Sequence, residues 1–224
     1  MSANVNAKHF IEKLDKLGSK KDEFNGVSMG QIFAIAKEFI EMPPAEVEKL
    51  LESDIHKVRA GAVSIMDWQA RSKKTPEKRR KELFDLYLRR HDRINDWDLV
   101  DRSAPYVVGG YLSDKPRDVL YKLARSKSPW ERRTAITATY YFLRQGDVDD
   151  TFKIAEILVH DQHDLVQKAV GGWVREAGKK DLQKLLGFLD QYAATMPRTL
   201  LRYAIEHLEK EQREHYLNLR SKTK

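Results

Sequence analysis

Arg133-Thr134-Ala135-Ile136 is one copy of a short pattern that recurs along this chain. The pattern begins with Arg or Gln, allows any second residue, and continues with two small or branched apolar residues. Other copies begin at Arg59, Gln167 and Arg202, and the copies at 133, 167 and 202 are 34 and 35 residues apart. Small residues let paired antiparallel helices approach closely, and stacked pairs bury a continuous core. The spacing therefore predicts an array of helical repeats.

The rest of the chain favours helices throughout. Apolar residues recur at intervals of three and four in nearly every segment, and the alternation typical of strands never extends beyond a few residues. Gly, Pro and Asn-Asp breaks separate short helices joined by short loops. We predict an all-α fold, an α-solenoid of HEAT-like repeats, as a single domain over residues 1–224 with a frayed tail at 220–224. The alternative is a non-repetitive helical bundle in which the pattern matches by chance.

The composition limits the classes of function. The 224-residue chain carries 41 basic and 34 acidic residues, a formal net charge of +7, and no cysteine. The lack of cysteine excludes disulfides, thiolate catalysis and cysteine-ligated metal sites, and it fits a reducing compartment. No signal pattern opens the chain, and no run of about 18 apolar residues occurs. We expect a cytoplasmic protein without a membrane partner.

Positive charge is concentrated in two stretches, 71–81 and 122–133. The first contains seven bases and one acid, Glu77, and the second contains five bases and one acid, Glu131. Concentrated positive charge favours a polyanionic partner such as nucleic acid, although basic helix faces are often only solvated surface.

Asp101 occupies the position that holds Arg or Gln in the other copies of the pattern. The segment Asp101-Arg102-Ser103-Ala104 lies midway between the copies at Arg59 and Arg133. In a solenoid the equivalent positions form a row on the concave face: Arg59, Asp101, Arg133, Gln167 and Arg202. An acid in this row repels a phosphate that its neighbours would bind, so a protein that merely bound DNA would gain from its replacement.

Trp97 precedes Asp101 by four residues, which places both side chains on one face of a helix capped by Asn95 or Asp96. Asp101 is then about one turn from the positive end of the helix dipole, where a carboxylate stays ionised.

Trp130 and Arg133 share a helix face in the same way. They follow a predicted capping box, Ser128-Pro129-Trp130-Glu131, with Pro at the first helical position. Two interpretations are open. In the first, the two tryptophans stack on a base, Asp101 is a fixed anion and Arg133 binds a phosphate, all on one wall of a site. In the second, both tryptophans are core residues and Asp101 pairs with Arg102 or Arg133.

Other chemistry has weak support. The cluster His160-Asp161-Gln162-His163-Asp164 offers metal-ligand types, but it lies in a predicted helix–helix loop and no further cluster complements it. His56 and His207 are expected to be surface or packing residues. Motifs for nucleotide hydrolysis, acyl transfer and zinc proteolysis are absent. We therefore expect no metal and no cofactor.

Three motifs resemble, in order and spacing, those of the bacterial DNA alkylation repair family, the AlkD-like DNA glycosylases: Trp97-Asp98-Leu99-Val100-Asp101, Trp130-Glu131-Arg132-Arg133, and Gln167-Lys168-Ala169-Val170-Gly171 with Arg175-Glu176. The resemblance extends from about residue 24 to residue 216. It implies a right-handed superhelix of HEAT-like repeats with a concave basic cleft that holds duplex DNA containing alkylated bases. It also implies excision of N3- and N7-alkylated purines by hydrolysis of the N-glycosidic bond.

The resemblance implies roles for individual residues. Asp101 is the catalytic carboxylate, Trp97 is an aromatic wall of the site, and Arg133 contacts the DNA near the lesion. The further DNA-binding residues that we expect are Trp130, Gln167, Lys168, Trp173, Arg59 and Arg202. We expect the protein to act as a monomer associated with the bacterial nucleoid.

The chain departs from the family at one position. Where the best-known members have a second active-site tryptophan, this chain has Gly172, and its tryptophan is Trp173. One step along a helix rotates a side chain by about 100°. Glycines within helices cost up to about 1 kcal/mol against alanine, so we expect close approach of a backbone, either a neighbouring helix or a ligand phosphate chain, at Gly110, Gly171 and Gly172.

The chemistry suits these residues, because a cationic alkylpurine is a good leaving group and the cationic sugar remains to be stabilised. A carboxylate about 4 Å away contributes roughly 4 kcal/mol at an effective dielectric constant near 20. The alternative function, from a different class, is a non-catalytic α-solenoid that binds nucleic acid structure or a protein partner.

Overall fold

The computed structural model describes residues 5–219, and the tail predicted at 220–224 lies outside the described residues. All regular elements in this part of the chain are helical, which confirms the all-α prediction. The chain divides into two compact units, Met1–Tyr111 and Leu112–Lys224, called unit 1 and unit 2 below. The single-domain prediction for residues 1–224 stays a prediction. Within residues 5–219, no helix combines the length and apolar character needed to cross a bilayer.

Unit 1 is built around its longest helix. Its helices are α1 (Ala7–Asp15), α2 (Met29–Glu38), α3 (Pro44–Leu51), α4 (His56–Arg71), α5 (Glu77–Arg89) and α6 (Trp97–Ser103). Short 3-10 turns lie at Lys20–Asp22 and His91–Arg93, and a π-helical segment, Ala104–Gly109, follows α6 directly. Helix α4 contacts α2, α3, α5 and α6, and it is buried on nearly every side. This burial explains why its sequence contains so many small and apolar residues.

Gly61 is the closest contact point on α4. A Cβ atom at Gly61 would lie 2.3 Å from the Phe10 ring, so any larger residue would displace that ring. Phe10 itself is fully buried. The small residues of the first pattern copy therefore do permit close helix packing, as the sequence predicts.

Unit 2 has a second central helix, α11. Its helices are α7 (Asp118–Leu123), α8 (Pro129–Ala138), α9 (Tyr140–Leu143), α10 (Asp149–Leu158), α11 (Asp164–Gly178), α12 (Leu182–Tyr192), α13 (Arg198–Ala204) and α14 (Lys210–Asn218). Helix α11 contacts α8, α10, α12 and α13. Ser128 and Pro129 start α8 as predicted, but the Ser128 side chain makes no capping hydrogen bond. The predicted capping box is therefore wrong.

The three glycines singled out from the sequence differ in their surroundings. A Cβ atom at Gly171 would lie 2.5 Å from the Leu200 carbonyl oxygen, which confirms the close approach predicted there. At Gly110 the near atom is the Tyr106 carbonyl oxygen at 2.4 Å, within the same irregular segment. At Gly172 no protein atom lies within 4 Å, so close approach of a neighbouring helix is wrong for this position, and close approach of a ligand phosphate chain stays a prediction.

Successive inner helices contact one another within each unit. In unit 1 α2 contacts α4 and α4 contacts α6, and in unit 2 α8 contacts α11 and α11 contacts α13. In three of these four contacts the partners are two helices apart in the chain, and in the contact of α8 with α11 the short helix α9 is additional. Contact between the equivalent helices of successive pairs is typical of repeat proteins.

Candidate functional site

Trp97 and Asp101 lie one turn apart on α6 in unit 1. Asp96 is the N-cap, with extended backbone, and its side chain accepts a hydrogen bond from the Trp97 amide at 2.7 Å. Trp97 is 49% exposed, whereas Asp101 is partly buried. The interpretation of Trp97 as a core residue is therefore wrong, and its indole is available for stacking on a ligand.

The helix that carries Asp101 ends early. Pro105 has no N–H group to donate to the carbonyl four residues back, which is that of Asp101, and its ring would clash with that carbonyl in a regular helix. The chain changes to π geometry from Ala104 onward, and the Gly110 amide donates to the Pro105 carbonyl at 3.0 Å. Short π segments occur frequently at functional sites. Pro105 is the residue of the sequence that indicates this irregularity.

His56 fixes the start of α6 to the start of α4. Its Nε2 lies 2.8 Å from Oδ2 of Asp98, the residue after Trp97. Arg59 adds a hydrogen bond from Nη2 to the Asn95 side chain at 3.4 Å. The hydrogen bond that His56 donates to the Asp98 carboxylate raises the pKa of His56 against the opposing effect of burial. His56 thus holds the segment that positions Trp97, which is a more specific role than surface or packing.

His56, Asp96 and Asp98 also form the one group in residues 5–219 with metal-ligand spacing, since their donor atoms all lie within 4.8 Å of one another. The His56–Asp98 hydrogen bond already uses two of these donors. Asp161, in the cluster considered from sequence, instead accepts hydrogen bonds from Arg132. The expectation of a site without metal stays a prediction.

The His56→Gln variant is expected to lose less stability than the wild type as the pH rises from about 6 to about 9. With its folded-state pKa raised above 6.5, protonated His56 stabilises the fold fully below pH 6.5, and this contribution is lost as pH rises through the raised pKa. Asp98 and Asp96 favour the charged ring, and Arg59 opposes it. The measurement is the midpoint of thermal unfolding from about pH 6 to about pH 9. His207→Gln, at an exposed position, is the matched control; an equal pH slope in wild type and His56→Gln would contradict the role of His56.

Arg133 lies in the interior of unit 2. It is 7% exposed, and its Nη1 donates to the Leu165 carbonyl at the start of α11. The arginine therefore links α8 to α11. Its predicted contact with DNA stays a prediction.

Trp173 is held between α8 and α11. Its indole N–H donates to Thr137 Oγ1 at 3.2 Å, and its ring lies 5.2 Å from that of Tyr140. Helix α11 is continuous from Asp164 to Gly178, so the chain is neither unwound nor turned at Gly172. The tryptophan is directed toward α8, and the position of Gly172 is open space.

The other expected DNA-binding residues of unit 2 differ in exposure. Trp130 is partly exposed and packs edge-on against the His163 ring at 5.5 Å. Lys168 pairs with Asp164 at 2.6 Å, and Arg202 is exposed. Lys168 and Arg202 are thus the more accessible cations.

Arg59, Arg132 and Gln167 occupy one equivalent position in their helices. Each is the fourth residue of its helix. Arg59 donates to the carbonyls five and six residues before it at 2.9 Å, and Arg132 does the same at 2.9 and 3.0 Å. Gln167 donates to the carbonyl six residues before it at 2.8 Å. These side chains close the loop that precedes each helix.

Asp101, Arg133 and Arg202 are instead the fifth residues of α6, α8 and α13. A difference of one residue rotates the side chain by about 100°. Arg59 and Gln167 therefore share their helix position with Arg132 and not with Asp101, and the row of five stays a prediction.

The two basic stretches contribute less free charge than their sequence indicates. In the first, Arg79 and Arg80 donate to backbone carbonyls and Lys81 pairs with Asp85. In the second, Arg132 pairs with Asp161 and Arg133 is buried. The exposed bases of the two stretches are Arg71, Lys73, Lys74, Lys78, Lys81, Lys122, Arg125 and Lys127.

Comparison with known proteins places the chain in one family. A search of curated proteins finds no match. The sequence model of the DNA alkylation repair enzyme family matches residues 2–208, which confirms the resemblance inferred from the three motifs. The chain therefore belongs to the DNA alkylation repair enzyme family.

Proposed function

We propose that this protein is a DNA glycosylase that hydrolyses the N-glycosidic bond of N3- and N7-alkylated purines in duplex DNA. The observation that carries the proposal is the placement of an exposed Trp97 one turn before Asp101, on a short helix interrupted by Pro105. Family membership supports a role as a DNA alkylation repair enzyme, and the placement of Trp97 and Asp101 supports the more specific proposal of a glycosylase.

In the proposed reaction the bond between C1′ and the purine nitrogen breaks, and its electron pair neutralises the cationic base. The deoxyribose becomes cationic as the base departs, and the Asp101 carboxylate stabilises that charge. A water molecule then forms a bond to C1′ and loses a proton to Asp101 or to solvent. Trp97 stacks on the cationic base through its negative face, a contact of about 1–2 kcal/mol where water is excluded.

The partner in this proposal is duplex DNA in the bacterial cytoplasm, bound by a monomer without metal or cofactor. The helix pairs form a right-handed HEAT-like superhelix with a concave basic cleft, a proposal that rests on the succession of inner-helix contacts within each unit. Lys168 and Arg202 bind phosphates, and Trp130 and Trp173 line the cleft. Arg133, Arg59 and Gln167 support the DNA-binding surface by fixing loops and helices, in addition to the DNA contacts expected of them.

A base-release assay tests the proposal. Duplex DNA carrying N7-methylguanine or N3-methyladenine is incubated with the protein, with and without EDTA, and free base is quantified. Release of free base that is unaffected by EDTA is expected. The competing function is a non-catalytic binding module, which is favoured by the attachment of Trp173 to Thr137 and the open space at Gly172. No release together with tight, salt-sensitive DNA binding would replace the glycosylase with that module.

A further inference from the structure

Asp67 is a fully buried carboxylate in the middle of α4 that the proposed reaction does not use. Its two oxygens each lie 2.8 Å from Nε of Arg71, and Oδ2 lies 3.2 Å from Nη2 of Arg102 on α6. Burial raises the pKa of Asp67, whereas the Arg71 hydrogen bond and the Arg102 charge oppose this rise. One buried acid thus holds two arginines from two helices.

Both guanidinium groups lie over aromatic rings. The Arg71 guanidinium carbon is 3.9 Å from the centre of the Tyr106 ring, and that of Arg102 is 4.4 Å from the centre of the Phe33 ring. Arg102 is also 5.2 Å from the Trp68 ring. Such contacts fix the plane of a guanidinium and limit its rotamers.

Lys37 adds a third cation from α2. Its Nζ lies 5.2 Å from the centre of the Trp68 ring, and Trp68 in turn donates from Nε1 to the Phe33 carbonyl at 3.3 Å. In residues 5–219, Lys37 has no ion-pair partner. We call these six residues the cation–aromatic cluster: Phe33, Lys37, Trp68, Arg71, Arg102 and Tyr106.

The charges of this cluster do not balance. Two arginines share the one carboxylate of Asp67, and Lys37 adds a third positive charge on the Trp68 ring. Burial lowers the pKa of Arg102 and repulsion from Arg71 adds to this, while Asp67 opposes both. Nε and Nη2 of Arg102 are buried without a well-aligned hydrogen-bond acceptor among the described residues. Arg71 uses only Nε on Asp67, and 38% of its side chain is exposed. Buried charges and polar groups are normally paired, so an anion bound beside the two arginines would offset the excess positive charge.

We propose that the cation–aromatic cluster is a phosphate-binding site for a backbone phosphodiester of DNA, in which Arg71 and Lys37 contact the phosphate and Asp67 is the positioning residue. The inference rests on the proposed function for the identity of the partner. A phosphate oxygen accepts hydrogen bonds from the terminal nitrogens of Arg71, since only its Nε is used by Asp67. The anion offsets the excess positive charge around Asp67, and the aromatic rings hold the arginines in place before DNA binds.

The test measures binding of unmodified duplex DNA by fluorescence anisotropy over a series of salt concentrations. Loss of one phosphate contact reduces the slope of log K against log salt by about 0.9. We expect this reduction for Arg71→Ala and, separately, for Lys37→Ala. Lys153→Ala removes an equally exposed cation from α10, and its slope is expected to equal that of the wild type. If Arg71→Ala does not fold, Lys37→Ala alone decides the result.

Slopes for Arg71→Ala and Lys37→Ala that equal the Lys153→Ala slope would overturn the inference. A second arm replaces chloride with inorganic phosphate at the same ionic strength. If a DNA phosphate occupies this site, free phosphate should inhibit DNA binding by the wild type more than binding by Arg71→Ala. Equal inhibition of the two proteins would overturn the assignment. The base-release assay reports on the reaction independently. Its failure with a positive slope result rejects the glycosylase alone, and the converse rejects only this site.

Discussion

Asp101→Asn is expected to keep duplex binding and to lower release of N3-methyladenine or N7-methylguanine by about a hundredfold or more. Asn has nearly the same shape as Asp, so α6 and the Trp97 side chain should keep their positions. The variant loses the electrostatic attraction between the carboxylate and the cationic sugar. This attraction is roughly 4 kcal/mol at about 4 Å and an effective dielectric constant near 20. The measurement is single-turnover base release, with DNA affinity determined on the same preparation.

A matched control distinguishes the effect of this particular carboxylate from the effect of losing any negative charge. Asp92→Asn removes an exposed carboxylate from the same unit, and its release rate is expected to equal that of the wild type. Equal loss in both variants would mean that the general electrostatic potential of unit 1 matters, and not Asp101. Unchanged release by Asp101→Asn would contradict the proposed chemistry outright.

The helices and two points of close helix packing could be predicted from sequence, because both depend on short-range patterns. The small residues around Gly61 and Gly171 indicated close packing, and both occur on the central helix of their unit. Trp97 and Asp101 were placed on one helix face by their spacing alone. Periodicity of this kind survives in any context where the helix forms.

The register of the repeat could not be read in the same way. Arg132 and Arg133 are consecutive arginines, and the pattern selects Arg133, because the third residue counted from Arg132 is Thr134 and not Ala or Gly. Only the hydrogen bonds to loop carbonyls show that Arg132 corresponds to Arg59 and Gln167. A sequence pattern fixes residue types, whereas the position within a helix depends on where the preceding loop closes.

Contacts between residues that are distant in the sequence likewise could not be predicted. His56 and Asp98 are 42 residues apart, and neither residue alone indicates the other. Asp67 and Arg71 have the spacing of a helical ion pair, but the partner that makes the carboxylate a buried three-way junction is Arg102 on another helix. Tertiary packing creates such sites, so they appear only once the helices are placed.

Asp67→Asn is expected to lower the free energy of unfolding by about 3–5 kcal/mol, the usual cost of removing one partner from a buried ion pair. The reason is that Arg102 would keep its buried charge without the carboxylate that offsets it. Arg71 can turn toward water, since its side chain is partly exposed, so Arg102 carries most of the loss. Urea unfolding followed by circular dichroism measures the change, and Asp92→Asn, at an exposed carboxylate, is expected to differ from wild type by no more than about 0.5 kcal/mol.

A double variant shows whether the buried charge itself is the cause. Asp67→Leu combined with Arg102→Met removes both members of the pair and leaves apolar groups beside Phe33 and Trp68. Replacing both partners of a buried pair is often neutral, so this variant should regain most of the stability that Asp67→Asn loses. If Asp67→Asn costs less than about 1 kcal/mol, the carboxyl group is already protonated in the fold and the effect of burial on its pKa outweighs both arginines. A large loss in Asp67→Asn that the double variant restores would establish Asp67 as the ionised anchor on which Arg71 and Arg102 depend.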